Sequence, residues 1–156
     1  MAAYRIADMP GLIGKEVFVS EWTPITQKQV TGFAEATLDL DWMHVDVERS
    51  KRESPYQGTI VQGFLMQSLV IYFNHKAGLV PADTEYGLNY GMEKVRFLLP
   101  VPTGSRVRDR ITLTDFHERS PDRFMQRSTH TLELEGHEKP AMVADWLVLW
   151  FRTLNS

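Results

Sequence analysis

The sequence contains no cysteine, which excludes disulfide bridges, zinc sites built on thiolates and cysteine nucleophiles. Long apolar runs are also lacking, because the longest, Ile60–Phe73, is interrupted by polar residues and a glycine. That run is shorter than the roughly 20 residues that cross a bilayer. The segment Met1–Pro10 lacks the apolar stretch of a signal peptide. We therefore expect a cytoplasmic protein.

An excess of one charge sign is lacking as well. The chain has 17 Lys and Arg residues against 20 Asp and Glu residues, a formal net charge of -3. Composition therefore gives no general attraction to nucleic acid or to an anionic membrane. The 156 residues fit one domain, since domains usually contain about 100–200 residues. No repeat or linker-like segment divides them, so we predict a single domain over residues 1–156.

The N-terminal part of the chain alternates between strand and helix patterns. Glu16–Thr23 is rich in β-branched and aromatic residues, which predicts a strand. Thr26 and Gln29 have the spacing of a capping box and predict the start of a helix. The pattern lapses over 38–45, and a short charged helix could follow over 46–52.

Apolar side chains cover most of a helix predicted for Gly63–Lys76. A helix that is apolar nearly all round must be buried nearly all round. The rest of the chain has strand patterns separated by short turns, which favours antiparallel pairing. These features predict an α+β fold in which a curved antiparallel sheet wraps around the buried helix. The predicted strands are Lys94–Leu99, Arg106–His117, Arg123–Glu135 and Ala141–Phe151.

The last predicted strand is apolar on both faces, which is more apolar surface than one core needs. Such surface generally marks an interface, and it predicts a homodimer. The two sets of residues are Trp146, Val148 and Trp150 on one face and Leu147, Leu149 and Phe151 on the other.

Three polar residues, Asp39, Asp41 and His44, are crowded into the segment before the apolar helix. Asp residues in loops often serve turns or caps, and a single His is often only hydrogen-bonded. A carboxylate and an imidazole in one loop can, however, act on one water as general acid and base. Gly63 at the helix N-terminus offers backbone N–H groups and a positive dipole end to a developing oxyanion. Its alternative role is a tight turn into the helix.

The segment Phe33–Leu69 (FAEATLDLDWMHVDVERSKRESPYQGTIVQGFLMQSL) resembles the hydratase signature of MaoC-like (R)-specific enoyl-CoA hydratases, particularly the NodN-like branch. Asn89–Arg108 is similar to the same branch. The resemblance implies a single hotdog domain, a homodimer and reversible hydration of a trans-2-enoyl-CoA to an (R)-3-hydroxyacyl-CoA. It implies an acyl-CoA or acyl-carrier thioester as substrate, and no metal or redox cofactor.

The resemblance also implies roles for individual residues. Asp39 and His44 match the catalytic pair that holds and activates the water. Gly63 matches the glycine whose backbone N–H binds the thioester oxygen. Gln62 and Asp41 adjoin these residues and are further candidates for substrate binding.

Three residues depart from the family pattern. The family commonly has Gly at the position of Leu38, Asn or Gln at that of Asp41, and His at that of Gln62. Gln keeps the hydrogen-bonding capacity of His but cannot titrate, and Asp41 adds a second carboxylate near Asp39. These departures bear on substrate choice and turnover more than on the fold.

Two further patterns have alternative interpretations. His44 and Asp46 match a His-x-Asp iron-binding pair, with His130 or His137 as a third ligand; the predicted buried helix argues against the all-β barrel that normally holds such a site. Alternating basic residues on two strands could form a cradle for CoA phosphates, but a solvated sheet face is the preferred interpretation. These residues are Lys94, Arg96, Arg106, Arg108 and Arg110.

Two other functions fit the same fold. A hotdog acyl-CoA thioesterase would attack the thioester carbonyl, and a non-catalytic acyl-CoA-binding module or partner subunit would only hold the ligand. The Asp39–His44 pair favours the hydratase over both, whereas Gln62 slightly favours the binding module. The sequence thus predicts a lyase, with these two functions as alternatives.

Overall fold

The computed structural model of the chain describes residues 4–152. They form one six-stranded sheet, four α-helices and a 3₁₀ helix. The helices are the 3₁₀ helix Ile6–Leu12, α1 (Gln27–Thr37), α2 (Trp42–Val45), α3 (Val47–Glu53) and α4 (Gly63–Ala77). The strands are β1 (Glu16–Val19), β2 (Thr23–Pro24), β3 (Tyr86–Phe97), β4 (Arg106–Ser120), β5 (Arg123–Leu134) and β6 (Met142–Phe151).

The strands lie in the order β1, β4, β5, β6, β3, and all of these pairs are antiparallel, as the short turns predicted. The strand predicted over 16–23 is divided, since β1 ends at Val19 and the short β2 pairs separately with the beginning of β4. β3 is an edge strand: one side pairs with β6, and within residues 4–152 the other side has no partner strand.

β3 begins at Tyr86 and not at Lys94, where the sequence pattern placed it. Gly87, Asn89 and Gly91 concealed its first half, because Gly and Asn are depleted in strands. The correction doubles the length of the strand and makes its free edge long.

The core lies between the inner face of the sheet and α4. Val107, Ile111 and Leu113 alternate along β4 and are fully buried, and Val70 and Phe73 of α4 are buried in the same cluster. This is the predicted α+β arrangement, in which a curved antiparallel sheet packs against a helix.

α4 is buried on one side only. Leu65, Met66 and Phe73 are buried, whereas Phe64 is 66% exposed and Tyr72 is 43% exposed. The prediction that this helix is buried nearly all round is therefore wrong for the single chain, because the sheet covers only one side of it. Two aromatic side chains of α4, Phe64 and Tyr72, remain exposed.

β6 lies inside the sheet, between β5 and β3. Trp146 and Trp150 are each 5% exposed, and Leu147 on the other face is 7% exposed. The free apolar surface expected on β6 lies instead on β3, where Leu88 and Tyr90 are more than half exposed.

α1 begins at the predicted capping box, in which the Gln29 N–H donates to Thr26 Oγ1 at 3.3 Å and the Thr26 N–H donates to Gln29 Oε1 at 2.8 Å. It ends at Leu38, which has the left-handed φ of 62°. The reversal leads into α2, which the sequence did not predict because four residues show no periodicity. None of the described helices is long and apolar enough to span a membrane.

Candidate functional site

His44 lies on α2, a helix whose start Asp41 caps. The Met43 N–H donates to Asp41 Oδ1 at 2.8 Å. The half-buried His44 ring places Nδ1 2.7 Å from the carbonyl oxygen of Ile60, which lies in the segment that leads into α4. Asp41 thus has a structural role that the sequence left open, and its binding of substrate stays a prediction.

The contact with Ile60 determines which nitrogen of neutral His44 carries hydrogen. A carbonyl oxygen only accepts, so the Nδ1–H must donate to it. Nε2 then has a free lone pair, which can accept a proton from a bound water. The local structure therefore leaves Nε2 as the ring nitrogen of His44 that could accept a proton.

Asp39 lies in the loop between α1 and α2 and is exposed. Within residues 4–152 no group hydrogen-bonds to its carboxylate. Its neighbours Leu38 and Leu40 are 84% and 61% exposed. The carboxylate is therefore free to bind a water or a substrate, next to exposed apolar surface.

Gly63 is the first residue of α4, so its N–H belongs to the first turn, where backbone donors have no partner within the helix. It lines a cavity of about 340 Å³. A Cβ at Gly63 would lie 3.0 Å from the ring of Phe97, which closes one side of this space. The other lining residues are Tyr56, Val61, Met66, Leu98, Leu99 and Pro100, so neither Asp39 nor His44 lines the cavity.

Gln62 immediately precedes α4 and is 3% exposed. Its Nε2 donates to the carbonyl of Val30 on α1 at 3.0 Å, and its buried Oε1 has no hydrogen-bond partner. The side chain therefore joins two helices. Its interaction with a substrate stays a prediction.

A family model described as a MaoC like domain matches residues 8–133. The chain belongs to the MaoC-like dehydratase family. Among its curated relatives, Nodulation protein N of Rhizobium leguminosarum bv. viciae is 40% identical over 149 residues, which cover 96% of this chain and 92% of that protein. The 3-hydroxyacyl-thioester dehydratase Z of Mycobacterium tuberculosis is 38% identical over 143 residues, covering 92% of this chain and 93% of the relative.

The solved structures confirm that this MaoC-like chain has the hotdog fold of the family. The (R)-hydratase from A. caviae involved in PHA biosynthesis superposes with a TM-score of 0.69. The match covers 86% of this chain and 95% of that one at 20% sequence identity, so it concerns the fold alone.

The iron-binding alternative does not fit the MaoC-like structure. Asp46 caps α3, where its Oδ1 accepts from the Arg49 N–H at 2.9 Å. His130 lies in the core on β5, and His137 is exposed in the turn before β6. Across residues 4–152, no group of three or more His, Cys, Asp or Glu side chains is placed to hold a metal ion.

A second Asp–His pair, which the sequence analysis missed, lies inside the core. His130 Nδ1 is 2.6 Å from Asp109 Oδ2, and its Nε2 is 3.0 Å from Ser128 Oγ. All three residues are fully buried. Burial raises the pKa of Asp109, although the hydrogen bond and charge of His130 oppose that shift. The sequence held one indication of this pair: Asp109 shares a face of β4 with the apolar residues Val107 and Ile111, so it could be expected to point into the core.

Four of the five alternating basic residues pair with acidic ones. Arg108 Nε lies 2.5 Å from Glu133, Arg110 Nη2 lies 2.6 Å from Glu16, and Arg106 forms an ion pair with Glu135. Lys94 Nζ lies 3.3 Å from Asp145, and Arg96 donates to the carbonyl of its neighbour Val95. These contacts favour the solvated sheet face over a cradle for phosphates.

Proposed function

We propose that this MaoC-like chain is a hydro-lyase that reversibly hydrates a trans-2-enoyl thioester, preferably an enoyl-CoA, to an (R)-3-hydroxyacyl thioester. The observation that carries the proposal is the orientation of His44. Its Nδ1 is held by the Ile60 carbonyl, which leaves Nε2 for a water. A relative over almost the whole chain is described as a 3-hydroxyacyl-thioester dehydratase, which supports the same reaction class.

Hydration requires a hydroxyl on Cβ, a proton on Cα and stabilisation of charge on the thioester oxygen. In our proposal Asp39 and His44 together bind the water and take one of its protons as its oxygen bonds to Cβ. The electron pair of the double bond moves toward the thioester and forms an enolate. The acid–base pair then returns a proton to Cα, so no metal or redox cofactor is consumed.

Gly63 supplies the oxyanion site in this proposal. Its N–H lies at the start of α4, and Gly63 lines the cavity that Phe97 borders. The helix dipole and an unpaired backbone donor both favour negative charge at that point. A thioester oxygen bound there would be stabilised most as it acquires negative charge in the enolate.

The proposed partner of the chain is a second copy of itself. β3 offers a long free edge, and Phe64 of α4 is exposed with its ring centroid 5.9 Å from that of Phe97 at the end of β3. Exposed strand edges and apolar patches both promote association. Since Asp39 and His44 do not line the cavity at Gly63, pairing would also add walls to a site that one chain leaves open. The cytoplasmic location expected from the sequence stays a prediction.

The test is a turnover screen of the purified protein with crotonyl-CoA to dodecenoyl-CoA. Loss of the enoyl-thioester absorbance, with the (R) product identified by chiral analysis, is the expected result. Thiol release from saturated acyl-CoA would show a thioesterase instead. Thermal stabilisation by acyl-CoA without any turnover would show a binding module, and both outcomes would overturn the proposal.

A further inference from the structure

The side chain of Gln27, on the first turn of α1, connects three segments of the chain. Its Nε2 donates to the backbone carbonyl of His44 at 2.8 Å and to Thr31 Oγ1 at 3.2 Å. Its Oε1 accepts from Thr59 Oγ1 at 2.6 Å. Gln27 is half-buried and Thr59 is 6% exposed, so solvent competes weakly for these bonds.

These hydrogen bonds restrain the two parts of the chain that hold the His44 ring in place. The first attachment is the backbone of α2, whose carbonyl at His44 is bonded to Gln27. The second is the Ile60 carbonyl that accepts from Nδ1, and Ile60 directly follows Thr59. Gln27 therefore joins the residue that carries the imidazole to the segment that holds its Nδ1.

The backbone adds one direct bond between the same segments, from the Ile60 N–H to the Met43 carbonyl at 3.0 Å. That bond keeps the two segments adjacent, but it does not involve the carbonyl of His44, which accepts its hydrogen bond from Gln27. A small rotation of α2 would shift Nε2, because the ring projects from the backbone that Gln27 fixes. Misplacement of a reacting group by about 1 Å can reduce a rate by about 10²-fold.

We propose that Gln27, held by the Thr59 hydroxyl, is a positioning residue that sets the place and tautomer of the His44 imidazole. The proposal rests on the proposed function, in which His44 acts on the water. Gln27 takes no proton and touches neither the water nor the substrate. A purely structural role, in which Gln27 only joins α1 to its neighbours, is the alternative to be tested.

The variants Gln27→Met and Thr59→Val preserve side-chain shape and remove the hydrogen bonds. We expect each to lower kcat for enoyl-thioester hydration by roughly 10-fold to 100-fold, with a small change in KM and a displaced pH profile. Thr59→Ser keeps the hydroxyl, so its activity should be close to that of wild type. Thr31→Val is the matched control, because it removes a contact of Gln27 that does not lead to His44, and it should change neither parameter.

The ¹⁵N NMR signals of the His44 ring test positioning without reference to turnover. In wild type the neutral ring should carry its proton on Nδ1. In Gln27→Met and Thr59→Val we expect a mixture of the two tautomers, with Thr31→Val and Thr59→Ser like wild type. If Gln27→Met and Thr59→Val have the ring signals and pH profile of wild type, the proposal is overturned. This holds even if the two variants are less stable than wild type. If wild type hydrates no thioester, the proposed function fails, while the ring signals still decide whether Gln27 positions His44.

Discussion

At the scale of single residues, Asp39 and His44 can be replaced with little structural cost. Asp39 is exposed and its carboxylate accepts no hydrogen bond within the described chain. In His44→Gln the amide can still donate to the Ile60 carbonyl, as the imidazole does. We predict that Asp39→Asn and His44→Gln each lower kcat by about 10²–10⁴-fold with nearly unchanged thermal stability.

Activity measured with an enoyl-CoA that wild type hydrates, together with calorimetry, checks this prediction. Asp46→Asn is the matched control, since Asn also caps helices and the Asp46 side chain caps α3. A near-normal kcat in either Asp39→Asn or His44→Gln would show that the acid–base assignment is wrong.

Gly63 is the third residue whose role can be separated from folding. Alanine has the better helix propensity by about 1 kcal/mol, but its Cβ would lie 3.0 Å from the Phe97 ring, which must shift by a few tenths of an ångström. These effects oppose each other, so we predict that Gly63→Ala folds with a free energy of unfolding within about 1 kcal/mol of wild type. Its kcat/KM should fall by about 10²-fold, because the new methyl group crowds the oxyanion site.

Steady-state kinetics and urea unfolding of Gly63→Ala measure both effects. The double variant Gly63→Ala with Phe97→Leu separates them further, because the smaller side chain relieves the contact with Phe97. Recovery of full activity in the double variant would assign the loss to that contact and not to the oxyanion site.

The residue scale also shows what the sequence could predict about the site. The order of residues and their resemblance to a known signature made Asp39, His44 and Gly63 candidates, and their roles stay a prediction. They could not show that Gln62 bonds to the carbonyl of Val30, since that contact depends on the packing of α1 against the start of α4. Gln27 and Thr59 were missed for the same reason: their bonds to the His44 region cross between separate segments.

At the scale of secondary-structure elements, the end of α1 stores strain at Leu38. Its φ of 62° is the left-handed conformation, which costs a non-glycine residue about 1–2 kcal/mol. Leu38 is 84% exposed, so truncating it loses almost no burial. Because glycine also raises the entropy of the unfolded chain, we predict that Leu38→Gly increases the free energy of unfolding by up to about 1 kcal/mol.

Urea unfolding of the variant checks this value. Leu40→Gly is the matched control, because Leu40 is exposed in the same loop but has no positive φ. It should be destabilised slightly. If both variants are equally destabilised, relief of strain at Leu38 is excluded.

The pairing of β4 with β5 buries Asp109 against His130, and this has a consequence for pH dependence. Burial raises the pKa of Asp109 in the folded state. As pH rises above about 4, the unfolded carboxyl loses its proton before the folded one does. The unfolded state then binds fewer protons, so the free energy of unfolding falls until the folded pKa is passed.

Asp109→Asn removes this titration while keeping the shape of the side chain. We predict that the stability of wild type relative to Asp109→Asn decreases as pH is raised from about 4 through the folded pKa of Asp109. Chemical unfolding of both proteins across this range measures the difference. A difference that is independent of pH, or that grows with pH, would contradict the prediction.

The elements that the sequence predicted well are those with a regular pattern. β4 and β5 have strand-like patterns, α4 and β6 are almost continuously apolar, and the structure places all four within a few residues of the predicted bounds. The first half of β3 could not be found in this way, because tertiary packing, and not a local pattern, requires glycine there. A Cβ at Gly87 would overlap the ring of Trp150 from the neighbouring strand, a constraint that no local pattern reveals.

At the scale of the whole molecule, the single chain leaves large apolar side chains exposed along β3 and at the start of α4. β3 has a free edge with Leu88 and Tyr90 exposed, and Phe64 of α4 is exposed as well. In a two-fold dimer the same patch meets its own copy. We therefore predict that wild type is a dimer at micromolar concentration and that Leu88→Glu or Phe64→Glu shifts it toward monomer, since each brings like charges together.

Sedimentation velocity measures this equilibrium, and Thr114→Glu is the control, because Thr114 is exposed on β4, which β5 and β6 separate from β3. If the partner completes the site next to Gly63, specific activity should fall in parallel with the dimer fraction when wild type is diluted or when either interface variant is assayed. Full activity in a monomeric variant would show that one chain holds the whole site. A wild-type monomer at micromolar concentration would remove the partner from the proposal altogether, leaving the exposed edge of β3 without the role we assign to it.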